Sequence, residues 1–158
     1  MRIATGVLVL TLIADQASKY WVVNRMALDQ RLFIEVMDPY LNFAMAWNTG
    51  INFGLFGSDS DVMRFALVAL ALLISGFVWL WVRREGPTPL MQIGAGLLVG
   101  GALGNVIDRL RWGAVADFIN MSCCGFRNPY SFNIADAAIF AGAFALILFS
   151  GRRASQGE

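Results

Sequence analysis

Asp15 and Lys19, Asn105 with Asp108 and Arg109, Asp117, and Asn133 with Asp136 stand inside, at the edge of or just outside long apolar runs. A bilayer rejects such groups unless they face a bundle interior or a watered cavity, so they mark a candidate site. Asp117 and Asp136 carry the chemistry. Two carboxylates held close cannot both ionise cheaply, so one keeps a proton while the other acts as a base. Such a pair can activate a water for attack on a peptide carbonyl and then protonate the leaving nitrogen. Arg109, Asn105 and Asn133 are suited to hold the pair and orient a substrate backbone. Asp15 and Lys19, four residues apart, share a helix face and can pair. Asn133 would also serve as a helix N-cap, with Asp136 at the third helical position, and that structural role stands open beside the chemical one.

Rival chemistries are narrowed by composition. The chain contains no histidine, which excludes Ser-His-Asp and Cys-His catalysis and the His-x-x-x-His zinc helix; no metal and no cofactor are expected. Ser18 and Lys19 are helix neighbours facing about 100° apart, so they form no Ser–Lys dyad. Cys123 and Cys124 are adjacent, which is neither metal-ligand spacing nor a disulfide framework. A small membrane thiol oxidoreductase using that pair is one alternative, tested by replacing both cysteines with serine. An ion-coupled transporter built on Asp15–Lys19 and the carboxylates is another, without the internal repeat and broken helices usual there. A net charge of +1, with no basic run, gives no sign of nucleic-acid binding.

The elements that must position these residues are helices in a membrane. Of 158 residues, 58% are hydrophobic and only 15% charged, with a mean hydropathy of +0.61, too few charges to wet a soluble surface of this size. Four apolar runs, about residues 3–23, 62–82, 90–110 and 132–150, each match the ~30 Å that a helix must cross. The reading is one integral membrane domain over residues 1–158, an all-α bundle of four transmembrane helices. The first helix is expected to be retained rather than cleaved, since no small-x-small site follows it. Residues 24–61 read as a small sheet and a surface lid, with strands at 32–37 and 41–47 and a turn at Asp38-Pro39. The third helix carries Gly96, Gly100 and Gly104, a small-xxx-small seam for close helix approach.

Arginines at Arg2, Arg83-Arg84 and Arg152-Arg153 flank one side with short connections, so both termini are expected in the cytoplasm. Asp15 then lies about 18 Å along the first helix. Asn105, Asp108 and Arg109 reach the outer leaflet, Asn133 and Asp136 begin there, and Asn48 and Asp117 lie in outer loops. All the unusual polar residues converge on one depth.

These residues fall in blocks. They are Asp15-Gln-x-Ser-Lys19, Asn48-x-Gly50-x-x-Phe53-Gly54, Gly104-Asn105-x-x-Asp108-Arg109, Val115-x-Asp117-Phe118 and Phe132-Asn133-x-Ala135-Asp136. In that order they resemble the lipoprotein signal peptidases, the type II signal peptidases of bacterial inner membranes, over nearly the whole chain. The resemblance implies a metal-independent aspartic endopeptidase that removes the signal peptide of prolipoproteins on the amino side of a diacylglyceryl-modified cysteine. Asp117 and Asp136 match its catalytic aspartates. Asp15, Lys19, Asn48, Gly50, Asn105, Arg109 and Asn133 match the polar frame around them. It further implies a periplasmic sheet near residues 32–47, a surface helix near 52–64, a site at the periplasmic face, and prolipoprotein and membrane lipid as partners of a monomer. Asn52, where Ala or Ser is frequent, and the Cys-Cys loop at 120–131 depart from the family pattern.

Overall fold

The structure is a computed structural model and describes residues 1–50 and 60–150. Helix α1 (Arg2–Lys19) runs on as a π-helical turn (Tyr20–Arg25), then a single turn, α2 (Leu28–Arg31), leads into β1 (Phe33–Met37) and β2 (Leu41–Asn48). Helices α3 (Ser60–Arg84) and α4 (Pro89–Trp112) follow, then β3 (Val115–Met121) and α5 (Ile134–Ser150). Of the stretch expected as a lid, residues 52–59 lie outside the described residues, as do Arg152 and Arg153; residues 60–64 are the opening turn of α3. The molecule is mostly helical, with one small three-stranded antiparallel sheet in the order β1-β2-β3.

Helix α4 is the axis of the bundle. Thr88 caps its start, its hydroxyl accepting from the Met91 amide at 3.3 Å, and Pro89 takes the first position, where no amide donor is needed. Gly113 ends it at φ +80°, donating to the Arg109 carbonyl. Between these caps the seam expected from the glycine spacing is packed on two sides. A Cβ on Gly96 would lie 2.6 Å from the Ala4 carbonyl oxygen of α1, and one on Gly142 of α5 would lie 2.6 Å from the Gly94 carbonyl oxygen. The backbones approach because neither side chain exists. Away from the site, Val78, Val82, Met91, Leu98 and Leu146 close the other end of the bundle.

Span by span, α3 over Asp61–Arg84 and α4 over Pro89–Trp112 are long and apolar enough to cross a membrane, with mean hydropathies of 2.5 and 1.6. Helix α5 is apolar but 17 residues long. Helix α1 spends part of its length on Asp15, Gln16 and Lys19, which lower its hydropathy.

The sheet holds one strand more than expected. Asp117, read as a loop residue, is on β3, where it pairs with Ala46 of β2. Val115 through Phe118 are all buried, so the strand has no exposed face and shows no alternation of polar and apolar residues. Beneath it Val22, Leu28 and Phe118 form a second small core, with Phe43 edge-on to Phe118 at 5.8 Å.

Candidate active site

The two carboxylates meet because the entry to α5 is pinned to β3. The Phe132 carbonyl accepts from the Phe118 and Ile119 amides at 3.1 and 2.8 Å, and the Phe132 amide donates to the Ile119 carbonyl at 3.0 Å. This fixes Asn133 beside Asp117. Asn133 then starts α5 by a reciprocal cap: its Oδ1 accepts from the Asp136 amide at 2.8 Å, and Asp136 Oδ2 accepts from the Asn133 amide at 3.3 Å. The capping role and the placement of Asp136 in the site are thus one arrangement.

Every carboxylate oxygen of the pair has a donor. Asp117 Oδ1 accepts from Asn133 Nδ2 at 2.7 Å and its Oδ2 from Asn48 Nδ2 at 3.0 Å. Asp136 Oδ1 accepts from Asn105 Nδ2 at 2.8 Å. The amides cannot turn round. Asn133 Oδ1 is taken by the Asp136 amide, and Asn105 Oδ1 accepts from Lys19 Nζ and Asn133 Nδ2, each at 3.3 Å, so both NH2 groups must face the acids. Burial first, then the adjacent Asp136 charge and a hydrogen bond shared with its carboxyl, push Asp117 up to about 7, against the donors from Asn48 and Asn133.

Behind the asparagines lies a buried ionic cluster. Lys19 Nζ sits 2.8 Å from Asp15 Oδ2 and 2.7 Å from Asp108 Oδ2, with all three side chains fully shielded. Charges so deep are tolerated only when their remaining valences are filled. Asp15 Oδ1 accepts the Ala135 amide in the first turn of α5 at 3.1 Å, Asp108 Oδ2 also accepts the Ala116 amide at 3.2 Å, and Gln16 Nε2 donates to Asp108 Oδ1 at 3.0 Å. Gly104 leaves the space for Asp15, since a Cβ there would lie 2.5 Å from its Oδ2. Asp108, whose role its sequence position leaves open, pairs with Lys19. Gln16 was not singled out by sequence reasoning, and Asp108 was placed at the right depth but given no partner. The available signal was their position, one on each side of the Asp15–Lys19 and Asn105–Arg109 faces.

The other residues singled out lie around this cage. Asn48 Oδ1 accepts the Gly50 amide at 2.9 Å, and Gly50 adopts φ +91°, a left-handed conformation that favours glycine. Arg109 donates from Nη1 to the Asn105 carbonyl at 3.3 Å, while its buried Nε has no partner among the described residues. With Asn105 it forms the polar end of an otherwise apolar groove of about 280 Å³, walled by Leu67, Leu70 and Ile74 of α3, Leu98 of α4 and Ile139 of α5. Cys123 and Cys124 are free and exposed in the turn after β3.

The helical bundle with its small sheet is similar in fold to a membrane enzyme. A solved structure described as a bacterial membrane enzyme superposes on the whole of this chain and 96% of its own, with a TM-score of 0.80 and 25% sequence identity. The model of the signal peptidase (SPase) II family matches residues 7–151, and the chain belongs to that family. It is therefore a peptidase of lipoprotein processing. The lipoprotein signal peptidase of Methylobacterium radiotolerans is 44% identical over 145 residues, covering 90% of this chain and 82% of the relative. That of Methylorubrum extorquens strain PA1 is 42% identical over 149 residues, covering 93% and 84%.

Proposed function

We propose that this chain removes the signal peptide from prolipoproteins, cutting on the amino side of a diacylglyceryl-modified cysteine, with Asp117 and Asp136 as the acid–base pair. The observation that carries the reading is the cage: three asparagine side chains, each with its donor end turned to the acids, hold two carboxyls close enough for the charge of Asp136 to push Asp117 upward. In the working state the pair holds one proton. The ionised carboxylate takes a proton from water as the oxygen attacks the scissile carbonyl, and the protonated partner delivers its proton to the departing nitrogen. Arg109, whose Nε has no partner among the described residues and lies at the end of the groove, donates to the substrate backbone. The apolar walls of the groove take the hydrocarbon of the lipidated precursor, which never leaves the membrane.

The same reading assigns four transmembrane helices to one domain in the bacterial inner membrane, both termini in the cytoplasm and the acids at the periplasmic face. Large apolar side chains left uncovered on α1 (Leu10, Ile13), α3 (Leu73, Phe77) and α5 (Phe140, Ile147) support it, since soluble surfaces do not carry such belts. With its π-helical turn the first helix extends over residues 2–25, enough to cross. The enzyme acts as a monomer without a cofactor, with prolipoprotein and lipid as its partners. Asp117→Asn and Asp136→Asn are each expected to abolish cleavage of a diacylglyceryl-modified precursor by folded protein, and a chelator to leave the parent enzyme active. Full activity in either variant sinks the assignment of the pair.

A further inference from the structure

We infer that Asp108 is a positioning residue of the reaction, its carboxylate fixing the backbone that carries Asp117. The inference rests on the Asp117–Asp136 reading above. Ala116, the residue before Asp117, donates its amide to Asp108 Oδ2 at 3.2 Å. The tie spans the α4–β3 connection, from a fully buried side chain to a strand residue that is itself fully buried. The β2–β3 ladder pairs Val115, Ala116 and Asp117 with Asn48, Trp47 and Ala46 and turns irregular directly after Asp117, between Ala46 and Phe43, so the tie at Ala116 adds a side-chain anchor next to the end of the regular pairing. A charged acceptor binds an amide more firmly than a neutral one does, and the charge is held in place by Lys19 at 2.7 Å. Lys19 also donates to Asn105, whose amide nitrogen holds Asp136. One buried carboxylate thereby reaches both acids, Asp117 through the backbone and Asp136 through Lys19 and Asn105.

An amide cannot replace it. Oδ2 of Asp108 faces two donors, Lys19 Nζ and the Ala116 amide, and Oδ1 faces a third, Gln16 Nε2. In Asp108→Asn either orientation turns an NH2 group towards a donor, while Lys19 keeps its pair with Asp15 at 2.8 Å and so is not left as a lone buried charge. The test measures cleavage of a diacylglyceryl-modified precursor by the full chain in micelles, below the melting temperature of each variant. Asp108→Asn is expected to lower kcat roughly 10²-fold, the scale of a misplacement near 1 Å, with KM unchanged. A purely structural role would lower the melting temperature and leave the kcat of folded enzyme untouched, which overturns the inference. A second variant replaces Ala116 by its α-hydroxy acid, turning the amide into an ester that lacks the N–H but leaves every side chain in place. Its kcat is expected to fall as well, and a parent-like kcat overturns the inference even if Asp108→Asn fails to fold. Asp117→Asn is run alongside: an active Asp117→Asn defeats the acid-pair reading itself, whereas an inactive Asp117→Asn beside a fully active Asp108→Asn defeats the positioning role alone.

Discussion

Asp117 is held in conditions that penalise its charge: it is buried, it neighbours a second carboxyl, and its pKa is pushed from 3.8 to about 7. The consequence for stability has a definite sign. Between those two values the folded protein binds more protons than the unfolded chain, so stability falls as pH rises through the window and stays low above it. Asp117→Asn removes the charge but keeps the shape. Its melting temperature is expected to match the parent near pH 4 and to exceed it above pH 7, where thermal unfolding in detergent reads the gap; a gap that does not open with pH refutes the buried-charge account. In the proposed mechanism the loss of this proton leaves two bases and no acid, so kcat falls as pH rises through about 7. The Asn48 donor opposes the upward shift. Asn48→Ala is therefore expected to move that descending limb to higher pH, as a pH–rate profile would show. Asn48 lies outside the apolar runs and was marked out by the family's sequence blocks, whereas the acids, Asn105 and Asn133 were legible from their types, because polar residues in or beside apolar runs are conspicuous. The direction each amide faces was not, since it depends on Lys19 and on the cap of α5, neither of which lies near Asn105 in the chain.

At the scale of elements, α4 brings the polar residues together by letting α1 and α5 approach it. The Gly96–Gly100–Gly104 spacing announces such a seam, but only the packing shows which partner each glycine admits: Gly96 and Gly100 admit α1, Gly101 admits α5, and Gly104 admits the Asp15 carboxylate. A methyl at Gly96 would press on the Ala4 carbonyl and on Val7. Gly96→Ala is therefore expected to destabilise by about 1–3 kcal/mol, the usual penalty of overpacking. Gly6 on α1 has nothing within 4 Å of its would-be Cβ, and Gly6→Ala is expected to stabilise by about 0.5–1 kcal/mol through helix propensity. Thermal unfolding of the two variants checks both signs, and equal effects would show that close approach at Gly96 is unimportant. The strands illustrate the limit of pattern reading. β1 and β2, partly exposed, were visible near residues 32–37 and 41–47, whereas β3 is buried on both faces and reads as one more apolar stretch.

For the molecule as a whole, chain direction gathers the site at one end. Asp15 and Lys19 come late in α1, Asn105 to Arg109 late in α4, and Asn133 and Asp136 early in α5, with β2 and β3 alongside; Arg83 and Arg84 end α3 at the opposite end. The topology proposed from the positive-inside rule has that arginine end in the cytoplasm and the acids outside it. The two cysteines report on this directly, since they are the only ones in the chain, are free and exposed, and sit in the turn that follows β3. A membrane-impermeant maleimide added to intact spheroplasts is expected to label Cys123 and Cys124, and to leave the Cys123→Ser/Cys124→Ser variant unlabelled. Labelling only after the membrane is opened would invert the proposed topology and set the acids on the side where no translocated precursor arrives. The same double variant separates the acid pair from thiol chemistry: with both sulfurs gone, cleavage of the lipidated precursor is expected at the parent rate, because no step in the carboxylate mechanism passes through that turn.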